Sequence, residues 1–315
     1  MVEGKKIGVV VPAFNEGGVI RRVLETMPSF IDRIIVVDDC SWDHTLQEIQ
    51  SYQEQDPRLL LVRHSRNQGV GKAIVTGYQR AREEGLDVVA VMAGDGQMDP
   101  DDLLQIVMPV VRAEVDYAKG NRLFRGESWK SIPHLRYLGN SVLSLLTKVA
   151  SGYWHVADSQ CGYTAISRAA LDFIPLEKIY PRYGMPNDFL IKLNMQNLRV
   201  VDISVRPIYG VGERSGIRYW QVIPRISLLL IKGFFERLFY KYVILDFHPL
   251  IFFYLLGLLT FPLGLLFGFY LFFYRLFIGP VAATSALFAV FLLISGLQSL
   301  FFAMWFDMEY NRHLK

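Results

Sequence analysis

Two long apolar runs near the C-terminus constrain the fold of this chain more than any other sequence feature. Residues 247–274 contain no acidic or basic side chain except His248, and residues 281–306 contain none. A helix needs about 20 apolar residues to cross a bilayer, so each run is long enough. A buried helical hairpin of a soluble protein is the alternative, but two adjacent uncharged runs of this length favour a two-helix transmembrane hairpin.

The charges that flank the two runs predict their orientation. Between the two runs, Arg275 is the only charged residue. Basic residues concentrate on the outer sides, at Arg225, Lys232, Arg237 and Lys241 before the first run and at Arg312, His313 and Lys315 after the second. Because cytoplasmic flanks carry an excess of Lys and Arg, both ends, and with them the N-terminal domain, are expected in the cytoplasm.

Residues 217–241, just before the first run, combine basic residues with leucines and aromatics. Arg225, Lys232 and Lys241 are spaced among them in RISLLLIKGFFERLFYKY, which follows Pro224. Such a pattern is typical of an amphipathic helix that lies at a membrane interface. A helix that packs against the N-terminal domain is the alternative.

Residues 1–245 mix charged and apolar residues as soluble domains do, so the hydrophobic share of 52% reflects the C-terminal runs. The net charge of +3 provides no case for nucleic-acid binding, which requires a concentrated basic surface. The two cysteines, Cys40 and Cys161, are too few for a disulfide framework and suit a reducing compartment.

Residues 6–119 alternate short apolar runs with helical patterns. The runs KIGVVVPA, RIIVVDD, RLLLVRH and LDVVAVMAGD predict strands, and the stretches between them predict helices near 17–28, 43–53, 70–84 and 100–112. The first run is short and interrupted by Pro12, so it predicts a buried strand and not a secretion signal. The alternation indicates βαβ units, and hence an α/β domain with a parallel, Rossmann-like sheet covered on both faces.

Polar residues follow each predicted strand, at the sheet edge where α/β proteins bind ligands. They are Asn15 and Glu16 after the first strand, Asp38 and Asp39 after the second, Asn67 after the third, and Asp95 and Gln97 after the fourth. This clustering is the strongest indication of a functional site that the residues alone provide.

Asp95 lies between two glycines, with Gln97 two residues later. A carboxylate and an amide oxygen on a tight turn are suitable ligands for Mg²⁺ or Mn²⁺, which also bind diphosphate oxygens. Such a metal neutralises the charge on a departing nucleoside diphosphate. Ordinary turn chemistry is the alternative. Asp99 precedes Pro100 and is instead expected to cap the following helix.

The segments after the first two strands are candidate walls of a nucleotide pocket. The backbone of Pro12 and Ala13, together with Glu16, is suited to line a base and ribose, and Asp39 is suited to accept a hydrogen bond from a base N–H. Helix capping by neighbouring residues is the alternative. Lys72 in RNQGVGKAI is either an anion contact or a solvated helix residue, because this segment lacks the spacing of a phosphate loop.

Taken in order, VPAFNE, VDD, NQGVGKA and the aspartate motif at residue 95 resemble the family 2 glycosyltransferases with a GT-A fold. The resemblance covers about residues 5–215. The strings GNRLFRG, RYLGN and ADSQCGY are similar to those of the dolichyl- and polyprenyl-phosphate sugar transferases, and DSQCGY is similar to the glucosyl branch. The resemblance implies a GT-A nucleotide-sugar-binding domain followed by the interfacial helix and the hairpin.

The resemblance also assigns roles to residues. It implies that Asp95, Asp188, Arg122 and Arg136 are catalytic, with Asp95 and Gln97 as metal ligands. It implies donor binding by Pro12, Ala13, Asn15, Glu16, Asp38, Asp39, Lys72, Gly94, Asp95 and Arg206. Acceptor binding is implied for Arg122, Arg136, Asn140, Asp158 and Gln160, the two arginines holding the lipid phosphate. Residues 206–218 match a segment that closes over the donor, and a plain linker is the alternative.

One position departs from the family pattern. The family usually has Asp-X-Asp, whereas Ala93 stands at the first position here. Metal binding would then rest on Asp95, Gln97 and the diphosphate, so the departure affects metal affinity while the central carboxylate is retained.

The expected reaction is transfer of a sugar, with inversion, from UDP-glucose or GDP-mannose to a polyprenyl or dolichyl phosphate, with a divalent cofactor (Mg²⁺ or Mn²⁺). Transfer to a glycan hydroxyl is an alternative, although the QxxRW segment of polysaccharide synthases is scrambled in YWQVIPR at 219–225. A degenerate, non-catalytic protein is another, supported only by Ala93.

The expected domain boundaries follow from these patterns. Residues 1–215 form the glycosyltransferase domain, 216–245 the juxtamembrane helix, 246–307 the two transmembrane helices and 308–315 a cytoplasmic tail. The expected protein is integral to the lipid bilayer, with its catalytic domain in the cytoplasm and with no nucleic-acid partner. The sequence leaves a homo-oligomer open.

Overall fold

The computed structural model describes residues 1–123, 134–206, 208 and 219–315, with the side chains of 134–138, 140 and 219–221 excepted. The described chain divides into two compact units. The first comprises Met1–Phe234 with Leu314–Lys315, and the second comprises Phe235–His313.

The first unit contains the strands and most of the helices. Its strands are β1 (Ile7–Ala13), β2 (Arg33–Asp38), β3 (Leu59–Arg63), β4 (Val88–Val91), β5 (Tyr117–Asn121), β6 (Thr164–Ser167) and β7 (Val200–Ser204). Its helices are α1 (Ile20–Glu25), α2 (Thr45–Gln53), α3 (Val70–Glu83), α4 (Leu103–Val111), α5 (His134–Ser151), α6 (Arg168–Phe173) and α7 (Met185–Met195). Helix α8 (Tyr219–Phe239) continues from this unit into the second.

The strands form one sheet of seven in the order β3-β2-β1-β4-β6-β5-β7. The four strands predicted from the sequence, β1 to β4, pair in parallel, which confirms the βαβ interpretation for this half. The other half is mixed, because β6 runs antiparallel to both β4 and β5. The sequence provides no prediction for β6, because its four residues TAIS carry no pattern that distinguishes strand direction.

Helices cover both faces of the sheet, as continuous apolar strands require. Every residue of β1 is buried. Val9 and Val11 join the core on one face, and Val10 joins the core on the other. A Cβ at Gly77 of α3 would lie 2.2 Å from Cγ1 of Val10, so only glycine lets this helix pack so closely against β1.

The turns that follow the strands contain residues in left-handed backbone conformations and a helix-capping aspartate. Asn15 and Cys40 both adopt left-handed backbone conformations, with φ of 58° and 66°. Asn adopts this conformation more readily than most residues because its short polar side chain bonds locally. Asp99 caps the turn before α4, since its carboxylate accepts a hydrogen bond of 3.0 Å from the backbone N–H of Asp101. The predicted capping role of Asp99 is confirmed.

The second unit contains a pair of long apolar helices, α9 (Leu250–Phe277) and α10 (Ala283–Tyr310). Both are long and apolar enough to cross a membrane, judged by length and composition. Glycines bring them together: a Cβ at Gly296 would lie 2.5 Å from the backbone nitrogen of Phe261, and one at Gly257 would lie 2.7 Å from Cγ of Leu300. Small residues at such contacts are typical of helix pairs in membranes.

A buried ion pair fastens the end of α8 to α10 within this unit. Arg237 contacts Asp307 through two hydrogen bonds, of 2.8 and 3.0 Å, and both side chains are fully buried. Tyr242, in the π-helical segment Tyr240–Leu245, donates its hydroxyl hydrogen to the same carboxylate. Lys241 donates to Asn311 over 2.7 Å. The carboxylate of Asp307 thus organises a polar cluster in an otherwise apolar hairpin.

The cluster predicts that Asp307→Asn destabilises the protein by about 3 kcal/mol or more, because it leaves the Arg237 charge buried without a counter-charge. The measurement is thermal unfolding of the full chain in detergent. Glu309→Gln is the matched control, since Glu309 pairs with Arg312 at the surface, where the side chains are 60% and 79% exposed. Equal losses in the two variants would show that the buried pair contributes nothing.

Candidate active site

Parallel pairing brings the predicted donor-binding residues to one edge of the sheet. β1 lies between β2 and β4, with Ala13 beside Asp38 and Val10 beside Val91. The segments that begin with Asn15, Asp39 and Asp95 therefore leave the sheet at neighbouring positions. Pro12 is bonded into this edge as well, since its carbonyl accepts a hydrogen bond of 3.1 Å from Gly94 N–H.

The loops after β1 and β2 are joined by side-chain hydrogen bonds. The backbone N–H of Asn15 donates to Ser41 over 3.0 Å, and the amide oxygen of Asn15 accepts from the Trp42 N–H over 3.1 Å. The backbone N–H of Glu16 donates to the hydroxyl of Thr45 over 2.7 Å. These contacts fix the backbone from which the half-buried side chain of Glu16 extends.

Asp38 and Asp39 are buried and bonded to protein groups. Asp39 accepts hydrogen bonds from Gln68 N–H at 2.8 Å and Gly69 N–H at 2.7 Å, and lies 2.7 Å from Nδ1 of His64. Asp38 accepts from Ser41 N–H at 3.1 Å. In this structure Asp39 therefore shapes the loop after β3, and its predicted contact with a base stays a prediction.

The glycine-rich segment NQGVGKA packs against the chain before α7. A Cβ at Gly71 would lie 2.5 Å from the carbonyl oxygen of Tyr180, and Lys72 N–H donates to the Pro181 carbonyl over 3.0 Å. Gly69 has a φ of 93°, which favours glycine. The glycines thus serve close packing here. The side chain of Lys72 is half-buried, and its role as an anion contact stays a prediction.

Asp188, the candidate base, has both carboxylate oxygens engaged. One accepts from Tyr180 N–H at 2.7 Å, and the other contacts Nζ of Lys192 at 2.5 Å. The carboxylate is buried and holds the same segment that packs on the glycines. These contacts favour an orienting role for Asp188 over proton transfer.

Asp95 lies in the turn after β4, where the sequence predicted it. The carboxylate of Asp95 accepts from Gln97 N–H at 3.0 Å, and Gly96 has a φ of 72°. The carbonyl of Gln97 accepts from Ile208 N–H at 3.1 Å, so the segment after β7 runs beside this turn. Arg206 N–H donates to Asp102 over 2.6 Å, but the Arg206 side chain is 58% exposed and reaches Asp99 only at 3.8 Å.

A bidentate ion pair lies at the end of β5. Nε and Nη2 of Arg122 lie 2.8 and 3.1 Å from the two oxygens of Asp158. Asp158 is fully buried, and burial alone would raise the pKa of its carboxyl, but the Arg122 charge and hydrogen bonds, with Lys119 nearby, hold that pKa below its usual value. Arg122 is thereby fixed in one orientation at the carboxyl edge of the sheet.

Asp202, on β7, braces both partners of this pair and was not identified from the sequence. One of its oxygens accepts from the side chain of Asn121 at 2.7 Å and from Ala157 N–H at 2.7 Å. These donors directly precede Arg122 and Asp158 in the chain. Burial raises the pKa of Asp202 to about 6. Its sequence context, VVDIS, contains no motif, so only the β5–β7 pairing reveals the contact.

Two predicted acceptor-binding residues lie outside the described side chains. Arg136 and Asn140 both fall within α5, where the structure describes the backbone only. Residues 207 and 209–218, which form most of the segment expected to close over the donor, also lie outside the described residues.

Comparison with known proteins identifies the family. The sequence profile described as Glycosyl transferase family 2 matches residues 8–174, slightly more than half of the chain. The chain belongs to glycosyl transferase family 2. The match covers the strands from β1 to β6 except for Ile7, the first residue of β1.

Curated relatives of this glycosyltransferase are similar over most of their length. A UDP-N-acetylglucosamine–dolichyl-phosphate N-acetylglucosaminyltransferase from Methanococcus voltae is 30% identical over 218 residues, which cover 65% of this chain and 86% of that protein. A polyprenol monophosphomannose synthase from Mycolicibacterium smegmatis is 25% identical over 238 residues, which cover 73% of this chain and 88% of that protein.

Solved structures show the fold. Glucosyl-3-phosphoglycerate synthase from Mycobacterium tuberculosis, determined with Mn²⁺, uridine diphosphate and glucosyl-3-phosphoglycerate, matches with a TM-score of 0.55. The match has 19% identity and covers 74% of this chain and 80% of that one. A Pyrobaculum calidifontis mannosyltransferase in complex with GDP-Man and Mn²⁺ matches with a TM-score of 0.51 and 18% identity, over 75% and 64% of the two chains. The glycosyltransferase domain therefore has the GT-A fold.

Negative charges meet at the carboxyl edge of the sheet. The pKa of Glu16 is raised to about 7, chiefly by burial and also by the negative charges of Asp95 and Asp43. A cation would relieve this crowding of carboxylates. No group of three or more His, Cys, Asp and Glu side chains is arranged to hold a metal in the described part of the chain. The predicted ligands Asp95 and Gln97 would therefore share a cation with diphosphate oxygens and water, as is common for Mg²⁺.

The raised pKa of Glu16 predicts a pH-dependent stability in metal-free solution. Because the fold favours the protonated form, stability falls as pH rises from about 4.5 to about 7 and then levels off. Glu16→Gln removes this loss, so the variant should match the wild type near pH 4.5 and be more stable by about 1 kcal/mol near pH 8.5, after allowance for solvent screening.

The measurement is thermal unfolding across this pH range with a chelator present. Glu54→Gln is the control, because Glu54 is exposed at the end of α2. A Glu16→Gln effect of the same size at every pH would contradict the cause assigned to the shift.

Proposed function

We propose that this glycosyltransferase transfers a sugar from a nucleotide sugar to the phosphate of a polyprenyl lipid. The observation that carries the proposal is the Arg122–Asp158 pair, which fixes a guanidinium at the carboxyl edge of the sheet. Relatives named for dolichyl-phosphate and polyprenol-phosphate products support the same acceptor class.

Arg122 is suited to a phosphate because a guanidinium has five N–H donors in a planar fork. The pair with Asp158 uses Nε and Nη2, so one edge of the guanidinium is bonded to the protein. The orientation of the guanidinium is therefore set before the lipid binds. Pre-orientation lowers the entropy lost on binding. Arg136 is the proposed second contact to the lipid phosphate.

In the proposed reaction an oxygen of the lipid phosphate attacks C1 of the sugar from the face opposite the leaving group. The new C1–O bond forms as the bond from C1 to the diphosphate breaks, and the nucleoside diphosphate departs with the electron pair. A phosphate monoester is already anionic near neutral pH, so the attack needs no general base. This agrees with the engagement of Asp188 by Tyr180 and Lys192.

The donor lies along the β2-β1-β4 edge in this proposal. Pro12, Ala13 and Asn15 line the base and ribose, and Asp39 accepts from the base. Gly94, Asp95 and Gln97 face the diphosphate, where a bound Mg²⁺ or Mn²⁺ would stabilise the departing charge. Further donor contacts are proposed for Glu16, Asp38, Lys72 and Arg206. UDP-glucose is the first choice of donor and GDP-mannose the second.

The apolar helices α9 and α10 span the bilayer in this proposal, and the flanking Lys and Arg residues orient both chain ends towards the cytoplasm. The proposed boundaries are those at residues 215, 245 and 307. A hairpin in the membrane keeps the enzyme on the surface that holds its lipid substrate, which raises the local lipid concentration.

The test is sugar transfer by the purified full chain in detergent, with UDP- and GDP-sugars, with and without polyprenyl phosphate, and with Mn²⁺ or Mg²⁺. The expected result is an anionic glycolipid that forms with one donor and only when lipid phosphate is present. Transfer to a hydroxyl acceptor in the absence of lipid phosphate would overturn the proposal.

The assignment of Arg122 predicts a selective kinetic defect. Arg122→Lys keeps the positive charge beside Asp158 but loses the fork, so the KM for polyprenyl phosphate should rise by about tenfold or more, with the KM for the nucleotide sugar little changed. Steady-state kinetics with each substrate varied in turn measures both values.

Arg199→Lys is the matched control for this variant. Arg199 pairs with Asp116 at 3.2 Å, and its side chain is 40% exposed, away from the carboxyl edge. Arg136→Ala tests the second arginine in the same assay. An unchanged KM for the lipid in both active-site variants would remove the arginines from acceptor binding.

A further inference from the structure

A chain of hydrogen bonds runs from helix α5 to the side chain of Gln160. The hydroxyl of Thr147 lies 2.7 Å from the backbone carbonyl of Leu143, and Nδ2 of Asn187 lies 3.1 Å from the same hydroxyl. Oδ1 of Asn187 lies 2.7 Å from Nε2 of Gln160, which also lies 2.8 Å from the Ser159 hydroxyl. We name this chain, from Leu143 to Gln160, the amide relay.

The backbone carbonyl at one end fixes the direction of every bond in the amide relay. A carbonyl only accepts, so the Thr147 hydroxyl must donate its single hydrogen to Leu143. Thr147 must then accept from Asn187, which requires the NH₂ group of Asn187 to face it. The oxygen of Asn187 therefore faces Gln160, and the NH₂ group of Gln160 must face Asn187.

Burial makes the reversed arrangement costly. Thr147, Asn187 and Ser159 are each 1% exposed or less, so water cannot replace a lost partner. Reversing the relay would set the Thr147 and Leu143 oxygens against each other at 2.7 Å without a hydrogen between them. In a low-dielectric interior such opposed dipoles are strongly disfavoured. The amide orientation of Gln160 thus follows from the chemistry of its partners.

As a result, the Oε1 atom of Gln160 is the only polar atom of this side chain that is left to bind a ligand, and it can only accept a hydrogen bond. Both hydrogens of Nε2 are used by Ser159 and Asn187. Among the residues that the structure describes, no donor is bonded to Oε1 of Gln160, and the side chain is half-buried. The oxygen is therefore held in place for a donor other than the described residues.

Gln160 lies at the carboxyl edge that carries the proposed site. Its backbone N–H donates to Asp158 over 3.2 Å, and Asp158 holds Arg122. The antiparallel register sets Thr164 of β6 beside Val91 of β4, so the segment before β6 adjoins the turn after β4. A Cβ at Gly162 would lie 3.5 Å from Cε of Met98, which shows the contact between these two segments.

We infer that Gln160 is a specificity-determining residue whose Oε1 accepts a hydrogen bond from a hydroxyl of the donor sugar. A sugar hydroxyl can donate a hydrogen bond to this acceptor oxygen. A phosphate or carboxylate oxygen carries none near neutral pH and would be repelled. The inference rests on the proposed function and assigns Gln160 to the donor sugar, in place of the acceptor-binding role expected from the sequence. Thr147 and Asn187 are positioning residues that act through Gln160.

The experiment compares UDP-glucose with each of its monodeoxy analogues, and GDP-mannose with each of its own. Binding is measured by competition against a labelled nucleotide sugar without lipid phosphate, and transfer is measured separately with polyprenyl phosphate. The wild type should discriminate by about tenfold or more against the one analogue that lacks the contacted hydroxyl, because a site built for a hydroxyl rejects its absence.

Gln160→Met keeps the length of the side chain but removes the hydrogen-bond acceptor. The variant's preference for the parent sugar over the analogue that lacks the contacted hydroxyl should therefore fall towards a ratio of one. Its preference over the other monodeoxy analogues should stay unchanged. Gln105→Met is the matched control, because Gln105 bonds Asp102 on the exposed side of α4. Thr147→Val should also weaken the discrimination, since it frees the relay to reverse, whereas Thr147→Ser keeps the hydroxyl and should restore it.

Equal discrimination by the wild type and Gln160→Met at every position overturns the inference, as does failure of both nucleotide sugars to bind. A Thr147→Val variant that loses stability while keeping the full discrimination removes the positioning role of the relay. If the sugar selectivity is found in binding but no lipid product forms, the proposed acceptor fails and the role of Gln160 stands.

Discussion

The parallel pairing of β1 with both β2 and β4 is the constraint on which the rest of this glycosyltransferase domain depends. It aligns three strand ends in one row, so that residues far apart in the chain become neighbours. These strands are apolar over most of their length, and every residue of β1 is buried between two helical layers. Most polar groups of this edge lie in the loops that follow the strands, where Glu16, Asp39 and Asp95 leave the sheet side by side.

The same edge gathers negative charge, and the structure compensates for it group by group. The Asp39 carboxylate accepts hydrogen bonds from two backbone N–H groups and lies 2.7 Å from Nδ1 of His64. Asp158 is matched by Arg122. Glu16 differs, because burial and the negative charges of Asp95 and Asp43 raise its pKa. The carboxylates bonded within the protein thus shape the site, and the crowding at Glu16 is the one that a bound cation would relieve.

The sequence predicted what depends on local pattern and missed what depends on pairing. Continuous apolar runs predicted β1 to β4 and the apolar helices α9 and α10, and the capping role of Asp99 followed from its place before Pro100. The direction of β6, the brace formed by Asp202 and the amide relay to Gln160 were not predictable, because each joins residues separated by tens of positions through contacts that no local motif encodes.

Attack of a phosphate oxygen on C1 of the sugar is the central claim of this account, and the linkage in the product tests it most directly. Phosphorus and proton NMR of the glycolipid made by the full chain reports both the bond formed and the configuration at C1. The account predicts a phosphodiester between sugar and lipid, with the C1 configuration opposite to that of the donor. A glycoside on a hydroxyl, or retained configuration at C1, would contradict it.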